Sequence, residues 1–277
     1  MKKFFKIILI IIIMTSLYLY YENNKLQISN YNIINDSIPN DFNNYKILQI
    51  SDFHNTKSKI LTKDLIKEIK KQNPNIIVLT GDIIDSRKID INIAINFIKE
   101  INDIAPIYFI SGNHEANINN YQEFQDKLKE NNVIILDNKI QILEMNESKI
   151  NLIGIDDPMM KHSPYESDED IVNSELKLID YNKKNYSILL SHRPELFETY
   201  VNNDIDLVLS GHSHGGQIRI PFIGGLVAPN QGLFPKYTSG KNENNKTTMI
   251  ISRGIGNSIL PFRINNRPEL IIITLNN

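Results

Sequence analysis

The chain has 277 residues, enough for one large domain with a sizeable core or for two small domains. Its net charge of −2 gives no basic field of the kind that attracts nucleic acid, so we predict no nucleic-acid partner. Cysteine is absent from the sequence, which excludes disulfides, thiolate zinc sites and a cysteine nucleophile.

The first stretch of the chain indicates a membrane anchor. An uncharged apolar run covers residues 7–21 and follows three lysines, Lys2, Lys3 and Lys6. The run is shorter than the roughly 20 residues that cross a bilayer, but Phe4 and Phe5 extend it if Lys6 reaches the headgroups. The lysines favour a cytoplasmic N-terminus, so we predict a single-pass protein of the cell membrane with an extracytoplasmic domain. No small-residue cleavage pattern follows the run, and a cleaved, secreted form is the alternative.

The segments that follow predict an organisation in three parts. We expect residues 1–24 to form the signal anchor or transmembrane segment. The Asn-rich residues 25–44 are typical of a linker, and their weak alternation predicts an edge strand. Residues 45–277 then form one domain.

Strands and helices alternate from Tyr45 onward. Three continuous apolar runs are typical of strands buried on both faces: "YKILQIS", "NIIVLTG" and "PIYFISG". Apolar residues at helical spacing separate these runs, and Asn73-Pro74 ends the first helix. The stretch "YQEFQDKLKENN" predicts a third helix. This alternation indicates an α/β sheet.

The second half of the chain is richer in strands. Three runs lie close together, which predicts antiparallel pairing among them: "NVIIL", "KIQILEM" and "KINLIGI". A helix is expected around residues 171–179, before four more strands: "YSILLS", "DLVLS", "TTMIIS" and "ELIIITL". Two sheets that share one core are the simplest arrangement of these elements.

Polar side chains follow five of the predicted strands, at the point where each strand ends. They are Asp52 and His54, Asp82 and Asp85, Asn113 and His114, His192 and Arg193, and His212 and His214. Ligands of open α/β sheets bind beyond the carboxyl ends of the strands. A single residue of this kind is usually a helix cap or a surface residue. Five of the six histidines lie at these strand ends, however, and this joint pattern predicts one site.

The residue types at these strand ends suit a metal centre. Imidazole, carboxylate and amide oxygen without thiolate favour a divalent ion such as Mn, Fe or Zn. The spacing Asp-x-His after a strand lets both side chains face the same way, because alternate residues share a face. The donors outnumber the ligands of one ion, which predicts two ions that share a carboxylate.

The ordered series "SDFH", "GDIID", "GNHE", "SHRP" and "GHSHGG" resembles the calcineurin-like metallophosphoesterase superfamily from about Tyr45 to the C-terminus. The segments "GHSHGGQIRIP" and "SRGIGN" are similar to its membrane-anchored or exported bacterial phosphodiesterase branch. The resemblance implies a four-layer α/β-β/α sandwich of two mixed sheets. It also implies two divalent metal ions as cofactors.

The resemblance further implies a role for each matching residue. Asp82 would bridge the two ions. The other ligands would be Asp52, His54 and His214 for the first ion, and Asn113, His192 and His212 for the second. His114 would be catalytic and would protonate or stabilise the leaving oxygen, while Asp85 would fix the orientation of a histidine or of the backbone. Arg193 and Arg253 follow strands; they are either phosphate contacts or surface charges.

One departure from the superfamily bears on the substrate. Phosphoprotein phosphatases carry an arginine directly before the "GNHE" glycine and another directly after the "GDxxD" aspartate. Here these positions are Ser111 and Ser86, and Arg87 lies one position later. The departure disfavours a phosphoprotein substrate.

These observations predict a phosphoester hydrolase. We expect a phosphodiesterase or pyrophosphatase that acts on envelope, lipid-linked or nucleotide-type substrates, with a lipid head group among the candidate partners. Two metal ions bound by these residues would supply a hydroxide nucleophile that attacks phosphorus. The alternatives are a phosphomonoesterase or nucleotidase with the same site, and a non-catalytic metal-dependent binding module. No protein partner is predicted.

Overall fold

Two six-stranded sheets and two short hairpins make up the β structure of the computed structural model, which describes residues 2–258 and 260–277. The strands are β1 Gln27–Ile34, β2 Tyr45–Ile50, β3 Ile76–Thr80, β4 Ile107–Ile110, β5 Val133–Ile135, β6 Lys139–Met145, β7 Ser148–Gly154, β8 Ser187–Leu190, β9 Leu207–Ser210, β10 Arg219–Ile220, β11 Gly224–Gly225, β12 Val227–Ala228, β13 Gly232–Leu233, β14 Gly240–Asn244, β15 Thr247–Ile251 and β16 Glu269–Asn276.

Helices connect most of these strands. They are α1 Lys2–Asn24, α2 Lys59–Gln72, α3 Ile91–Lys99, α4 Asn113–Ala116, α5 Tyr121–Glu130, α6 Asp168–Leu178 and α7 Phe197–Asn202, with 3-10 turns at Asn40–Phe42, Pro158–Lys161, Pro194–Leu196 and His214–Gly216. Local sequence sets the ends of several of them. The Ser58 hydroxyl caps α2 by accepting the Leu61 N–H, and Asn73 ends that helix in the left-handed conformation.

The first sheet has the strand order β1-β16-β2-β3-β4-β5. Strands β2 to β5 run parallel, β16 runs antiparallel to β2, and β1 pairs with β16 in parallel. The second sheet has the order β14-β15-β9-β8-β7-β6, with parallel pairs in the centre and an antiparallel strand at each edge. Both sheets are therefore mixed.

Three apolar clusters account for the layering. The central cluster lies between the sheets and draws residues from both, among them Ile47, Val78, Ile188 and Leu209. The outer face of the first sheet packs against α2, α3 and α5. Helices α6 and α7 cover the outer face of the second sheet. The predicted four-layer sandwich of two mixed sheets is confirmed.

The pairing predicted for "NVIIL" is wrong. Its strand β5 joins the first sheet in parallel with β4, whereas β6 and β7 form an antiparallel hairpin in the second sheet. The reason lies in the preceding helix α5, which carries the chain back across the sheet, as a parallel crossover requires. The chain then changes sheets between β5 and β6.

The N-terminal region comprises one long helix and one strand. Helix α1 is long and apolar enough to cross a membrane, and none of its apolar window is buried against the described part of the chain. Residues 25–44, expected as a linker with an edge strand, contribute β1 to the edge of the first sheet.

Candidate metal centre

The loops after β2, β3, β4, β8 and β9 carry the residues singled out in the sequence. Strands β2, β3 and β4 are parallel neighbours in the first sheet, and β8 and β9 are parallel neighbours in the second. Their carboxyl ends therefore lie at one edge of the sandwich. The close contacts across the two sheets, described next, join these loops into one cluster.

The first group of donors contains Asp52, His54, Asp82 and His214, all of them buried. The Nε2 atoms of His54 and His214 lie 3.1 Å apart. Nε2 of His214 lies 3.3 Å from Oδ1 of Asp52, and Nε2 of His54 lies 3.6 Å from Oδ2 of Asp82. One proton can satisfy only one of these contacts, whereas a cation among them accepts a lone pair from each donor.

The second group contains Asp82, His192 and His212. Nε2 of His192 lies 3.2 Å from Oδ2 of Asp82 and 3.3 Å from Nδ1 of His212. Nδ1 of His192 lies 2.7 Å from the carbonyl oxygen of Thr80. A carbonyl only accepts, so Nδ1 carries the proton and leaves Nε2 free as a donor to a metal. Asp82 belongs to both groups, as a bridging carboxylate must.

Asn113 lies at the start of α4, next to these groups. Its Oδ1 atom is buried and makes no hydrogen bond within the described residues, so an amide oxygen is available to a cation. The preceding Gly112 packs against the backbone of Gly81, where a side chain would not fit. A Cβ built on Gly81 would lie 2.6 Å from Nδ1 of His192 and 2.8 Å from Cα of Gly112.

Five of the candidate ligands have left-handed backbone conformations, which are uncommon for residues other than glycine. They are Asp52, His54, Asp82, His212 and His214, with φ values of 51°, 46°, 53°, 67° and 47°. Non-glycine residues hold this conformation only where the surrounding structure stabilises it, and such residues cluster at functional sites.

Burial controls the charge of the histidines. It lowers the pKa of His54, His212 and His214, so these rings are neutral near pH 7 and keep a lone pair for a metal. Burial also lowers the pKa of His192, but the Asp82 carboxylate outweighs this effect and raises the pKa to about 10. A divalent cation bound by this pair would compete with that proton.

His114 lies beside the first group and is held by a neighbouring loop. Its Nδ1 atom accepts a hydrogen bond of 3.0 Å from the backbone N–H of Ser86 and lies 3.0 Å from the Ser86 hydroxyl. Its Nε2 atom lies 4.0 Å from Oδ2 of Asp82. The proton of the neutral ring is therefore on Nε2, which faces the shared carboxylate.

Asp85 fixes the turn that holds His114. Its carboxylate accepts hydrogen bonds from the backbone N–H of Arg87 at 2.9 Å, and from Nε and Nη2 of the same residue. Its Oδ1 atom also lies 3.5 Å from Nδ1 of His114. The sequence left open whether Asp85 orients a histidine or the backbone, and its short contacts are with the backbone and side chain of Arg87.

Arg193 is buried, which excludes the surface position that the sequence left open for it. Its guanidinium forms two hydrogen bonds with Asp157, of 2.5 Å and 2.8 Å. Its Nη1 atom lies 3.4 Å from Oε1 of Glu195, and that oxygen lies 3.7 Å from Nε2 of His212. Arg193 thus belongs to a buried ionic network behind His212, and Asp157 already occupies two of its nitrogens.

Arg253 follows β15, and its contacts are with β1 and β16. Its Nη1 atom donates to the side chain of Gln27, and its backbone N–H donates to Glu269. These contacts direct the side chain toward β1 and β16.

Glu115 is a site residue that the sequence reasoning did not single out. It is fully buried, and its carboxylate accepts hydrogen bonds from three backbone N–H groups, those of Asp82, Ile84 and Gly112, at 2.7 to 3.0 Å. It therefore joins the loop that carries Asp82 to the loop that carries Asn113 and His114. The only signal in the sequence was its position in "GNHE".

The position before the "GNHE" glycine, Ser111, has no room for an arginine. It is fully buried, its backbone N–H and hydroxyl donate to Asp137, and its hydroxyl accepts from the backbone N–H of Asp157. A long cationic side chain would not fit in this position.

The donor set fits divalent metal ions. The two groups offer imidazole nitrogens and carboxylate oxygens within 4.8 Å of one another, and Asn113 adds an amide oxygen. This set is typical of Mn, Fe or Zn. A two-sheet sandwich with such a centre at the carboxyl edge of its strands defines the class of dinuclear metal-dependent hydrolases.

Comparisons with known proteins agree with this class. The model of the calcineurin-like phosphoesterase family matches residues 45–216. The metallophosphoesterase YkuE of Bacillus subtilis is 30% identical over 261 residues, which cover 92% of this chain and 87% of that protein. The phosphodiesterase YaeI of Escherichia coli is 25% identical and covers 83% of this chain, with 82% of YaeI matched.

The fold has a counterpart among solved structures. Phosphopantetheinyl hydrolase of Mycobacterium tuberculosis matches 76% of this chain and 90% of its own chain, with a TM-score of 0.50 and 10% identity. The chain belongs to the calcineurin-like phosphoesterase family, and it is a phosphoester hydrolase. Members of this family use two divalent metal ions, and the Asp and His cluster could hold them.

Proposed function

We propose that the protein is a membrane-anchored phosphodiesterase or pyrophosphatase. The observation that carries the proposal is the pair of donor groups that share Asp82, together with serine at the two positions where phosphoprotein phosphatases carry arginine. A cavity of about 210 Å³ opens next to His54, and its lining includes Lys57, Asp85 and Lys88. Bound in these groups, two divalent ions would supply a hydroxide nucleophile and neutralise phosphate charge.

The preference for a diester follows from charge. A phosphate monoester carries up to two negative charges near pH 7, whereas a diester carries one. Arginines suit the more highly charged group because their guanidinium binds phosphate in a bidentate manner. The two positions where phosphoprotein phosphatases carry arginine are Ser86 and Ser111 here. The name of the relative YaeI, a phosphodiesterase, supports the same choice.

The protein's own residues orient the substrate in this proposal. The proton on Nε2 of His114 donates a hydrogen bond to an oxygen of the phosphoester, because Ser86 occupies Nδ1. Lys57 and Lys88 attract the anionic substrate to the mouth. Asp85 and Glu115 hold the loops in place.

The substrate class is an envelope, lipid-linked or nucleotide-type diester or diphosphate. Helix α1 supports a membrane location, because it is long and apolar enough to span a bilayer. The three lysines near its start support an extracytoplasmic domain, and the segments "GHSHGGQIRIP" and "SRGIGN" support the membrane-anchored branch of the family. Protease added to intact spheroplasts should then degrade the domain. Protection until lysis would contradict this orientation.

The activity is tested with the full chain in detergent, loaded in turn with Mn, Zn, Fe and Mg. We expect bis-aryl phosphate to be hydrolysed with a higher kcat/KM than mono-aryl phosphate. Asp82→Asn serves as the control for contaminating activity, because it removes the shared donor. A preference for the monoester would favour the second candidate, a phosphomonoesterase or nucleotidase. Metal binding without hydrolysis of any ester would favour a binding module.

A second assay addresses the natural substrate class. A lipid-linked diphosphate in mixed micelles is compared with a soluble nucleotide diphosphate at equal concentration. We expect faster hydrolysis of the lipid-linked compound, because the anchor keeps the site at the bilayer. Faster hydrolysis of the soluble nucleotide would contradict the lipid-linked assignment while leaving the phosphodiesterase activity in place.

A further inference from the structure

Two short hairpins beyond the metal centre expose large apolar side chains. Hairpin β10–β11 presents Phe222, which is fully exposed, and Ile223, which is 65% exposed. Leu233, at the end of hairpin β12–β13 away from its turn, and Phe234, directly after it, are 70% and 60% exposed. We call these four residues the apolar tips. Four large apolar side chains exposed on adjacent hairpins form a patch of the kind that binds a partner or a membrane.

Backbone hydrogen bonds join the two hairpins, and Phe234 takes part in one of them. The backbone N–H of Leu226 donates to the carbonyl of Ile218, and the backbone N–H of Phe234 donates to the carbonyl of Leu226. The tips therefore belong to one surface. This surface follows strand β9 and the ligand His214, so it lies at the same edge of the sandwich as the metal centre.

The same surface is attached to the end of helix α1. The Tyr18 hydroxyl donates to the Asn265 side chain at 2.7 Å, and the Asn265 amide donates to the carbonyl of Arg219 on β10 at 3.2 Å. The backbone N–H of Arg219 donates in turn to the carbonyl of Ile264. The apolar helix thus leaves the domain beside the base of hairpin β10–β11.

Further contacts hold the end of α1 on the domain. Glu22 is its one buried residue, and its carboxylate accepts from Nε of Arg267 at 2.8 Å and from the backbone N–H of Asn266 at 3.2 Å. Asn23 exchanges hydrogen bonds with the backbone of Arg263. A helix fixed in this way determines which face of the domain meets the bilayer.

Basic residues lie near the hairpins and at the end of α1. Arg219 lies at the base of one hairpin, Lys236 lies close after the other, and Arg267 stacks on the ring of Tyr21 near the end of α1. Tyrosine and basic side chains near an apolar surface are typical of the membrane interface, where the ring or stem is apolar and the polar end reaches the headgroups. In hairpin β10–β11 the apolar turn and the arginine at the base thus match the order from acyl chains to headgroups.

We propose that the apolar tips insert into the same bilayer leaflet from which helix α1 emerges, so that the edge carrying the metal centre faces the lipid surface. The inference rests on the membrane location proposed above and adds the contact surface and its depth. Its occupant is the lipid bilayer, because Asn265 links hairpin β10–β11 to a helix whose own apolar surface is uncovered by the described part of the chain. The substrate class that fits is a phosphoester held in the membrane.

The absence of tryptophan from the sequence makes a direct test simple. Single-tryptophan variants Phe222→Trp and Phe234→Trp of the full chain are reconstituted in phosphatidylcholine vesicles that contain brominated lipid, which quenches tryptophan on contact. The matched control is Leu178→Trp, since Leu178 is equally apolar, is 77% exposed and ends α6. Because α6 returns the chain from the carboxyl edge to the amino edge of the second sheet, Leu178 faces away from the tips. Leu9→Trp in α1 is the control for membrane insertion.

We expect blue-shifted emission and quenching at positions 222 and 234, and no quenching at position 178. Lipid brominated near the headgroup should quench the hairpin tryptophans more than lipid brominated near the acyl-chain end, with the opposite order for Leu9→Trp. Quenching of Leu9→Trp without quenching at 222 and 234 would overturn the inference alone. No quenching at any position would overturn the membrane location as well. A blue shift without quenching would indicate a protein contact, such as a second copy, and would also overturn it.

Discussion

The backbone N–H of Ser86 donates a 3.0 Å hydrogen bond to Nδ1 of His114. A backbone N–H cannot accept, so Nδ1 of His114 keeps its lone pair and the neutral ring carries its proton on Nε2. The sequence left two roles for His114, protonation and stabilisation of the leaving oxygen. A neutral imidazole is a poor acid but a good hydrogen-bond donor, so this contact favours stabilisation.

His114→Ala should retain the fold and both metal ions and lose about 10²–10³-fold in kcat, the usual cost of one lost donor at a developing negative charge. The losses should be similar on an alkyl ester and a nitrophenyl ester, because a donor to phosphate charge is insensitive to the leaving group. His162→Ala is the control, since His162 is exposed. A much larger loss on the alkyl ester would instead establish proton transfer. Loss of metal would make His114 a ligand.

Ser86→Ala should change kcat/KM by no more than a few-fold. The variant keeps the backbone N–H that holds Nδ1 of His114 and removes only the hydroxyl, which lies at the same distance. Steady-state kinetics on the bis-aryl ester measures the effect. A loss comparable to that of His114→Ala would show that the hydroxyl, and not the backbone, orients the ring.

Asp82→Ala should lose more metal than Asn113→Ala. Asp82 belongs to both donor groups, so its removal takes a ligand from each site together with the charge that offsets repulsion between two cations. Asn113 offers one neutral oxygen. Elemental analysis of the purified variants gives the two stoichiometries, and equal metal content would rule out the bridging role.

Asp156 should make stability depend on pH. Burial, and next the charge of Asp137, raise the pKa of Asp156 to about 7. Above about pH 4 the unfolded chain releases this proton while the folded chain keeps it, so the stability conferred by the protonated carboxyl falls as the pH rises to about 7.

The measurement compares the Tm of the natural chain with that of Asp156→Asn across this range, with the exposed Asp103→Asn as control. The stability of the natural chain relative to the variant should fall by about 1–2 kcal/mol between about pH 4 and pH 7, since water reaches part of the carboxyl and reduces the full effect. If the stability difference between the natural chain and Asp156→Asn did not change with pH, the pKa of Asp156 would not be raised in the folded protein.

Removing residues 1–24 should destabilise the domain more than removing residues 1–17. The longer deletion removes Glu22 and its hydrogen bonds to Asn266 and Arg267, each worth about 1.5–3 kcal/mol for a charged partner. The protein that lacks only residues 1–17 should have a Tm higher by roughly 5 °C or more than the protein that lacks residues 1–24. Equal Tm values would show that the end of α1 is only an anchor and adds nothing to the fold.

The sequence by itself determined the elements and the chemistry of the site. Continuous apolar runs specify buried strands because such strands are covered on both faces, and polar residues after those runs fall at one edge because parallel strands share a direction. These patterns predicted two sheets that share one core, and they placed Asp52, His54, Asp82, His192 and His214 close enough to be in one cluster. Each pattern is local, because a strand and the polar residues that follow it are neighbours in the chain.

Only the tertiary structure decided the contacts between distant segments. Strand β5 joined the first sheet because α5 carried the chain across it, although its sequence resembled the hairpin strands that follow. The Arg193 side chain is buried on Asp157, Glu115 joins two loops through backbone N–H groups, and Ser86 holds His114. Such pairings depend on how the sheets pack and on backbone groups that are chemically the same at every position, so local sequence cannot specify them.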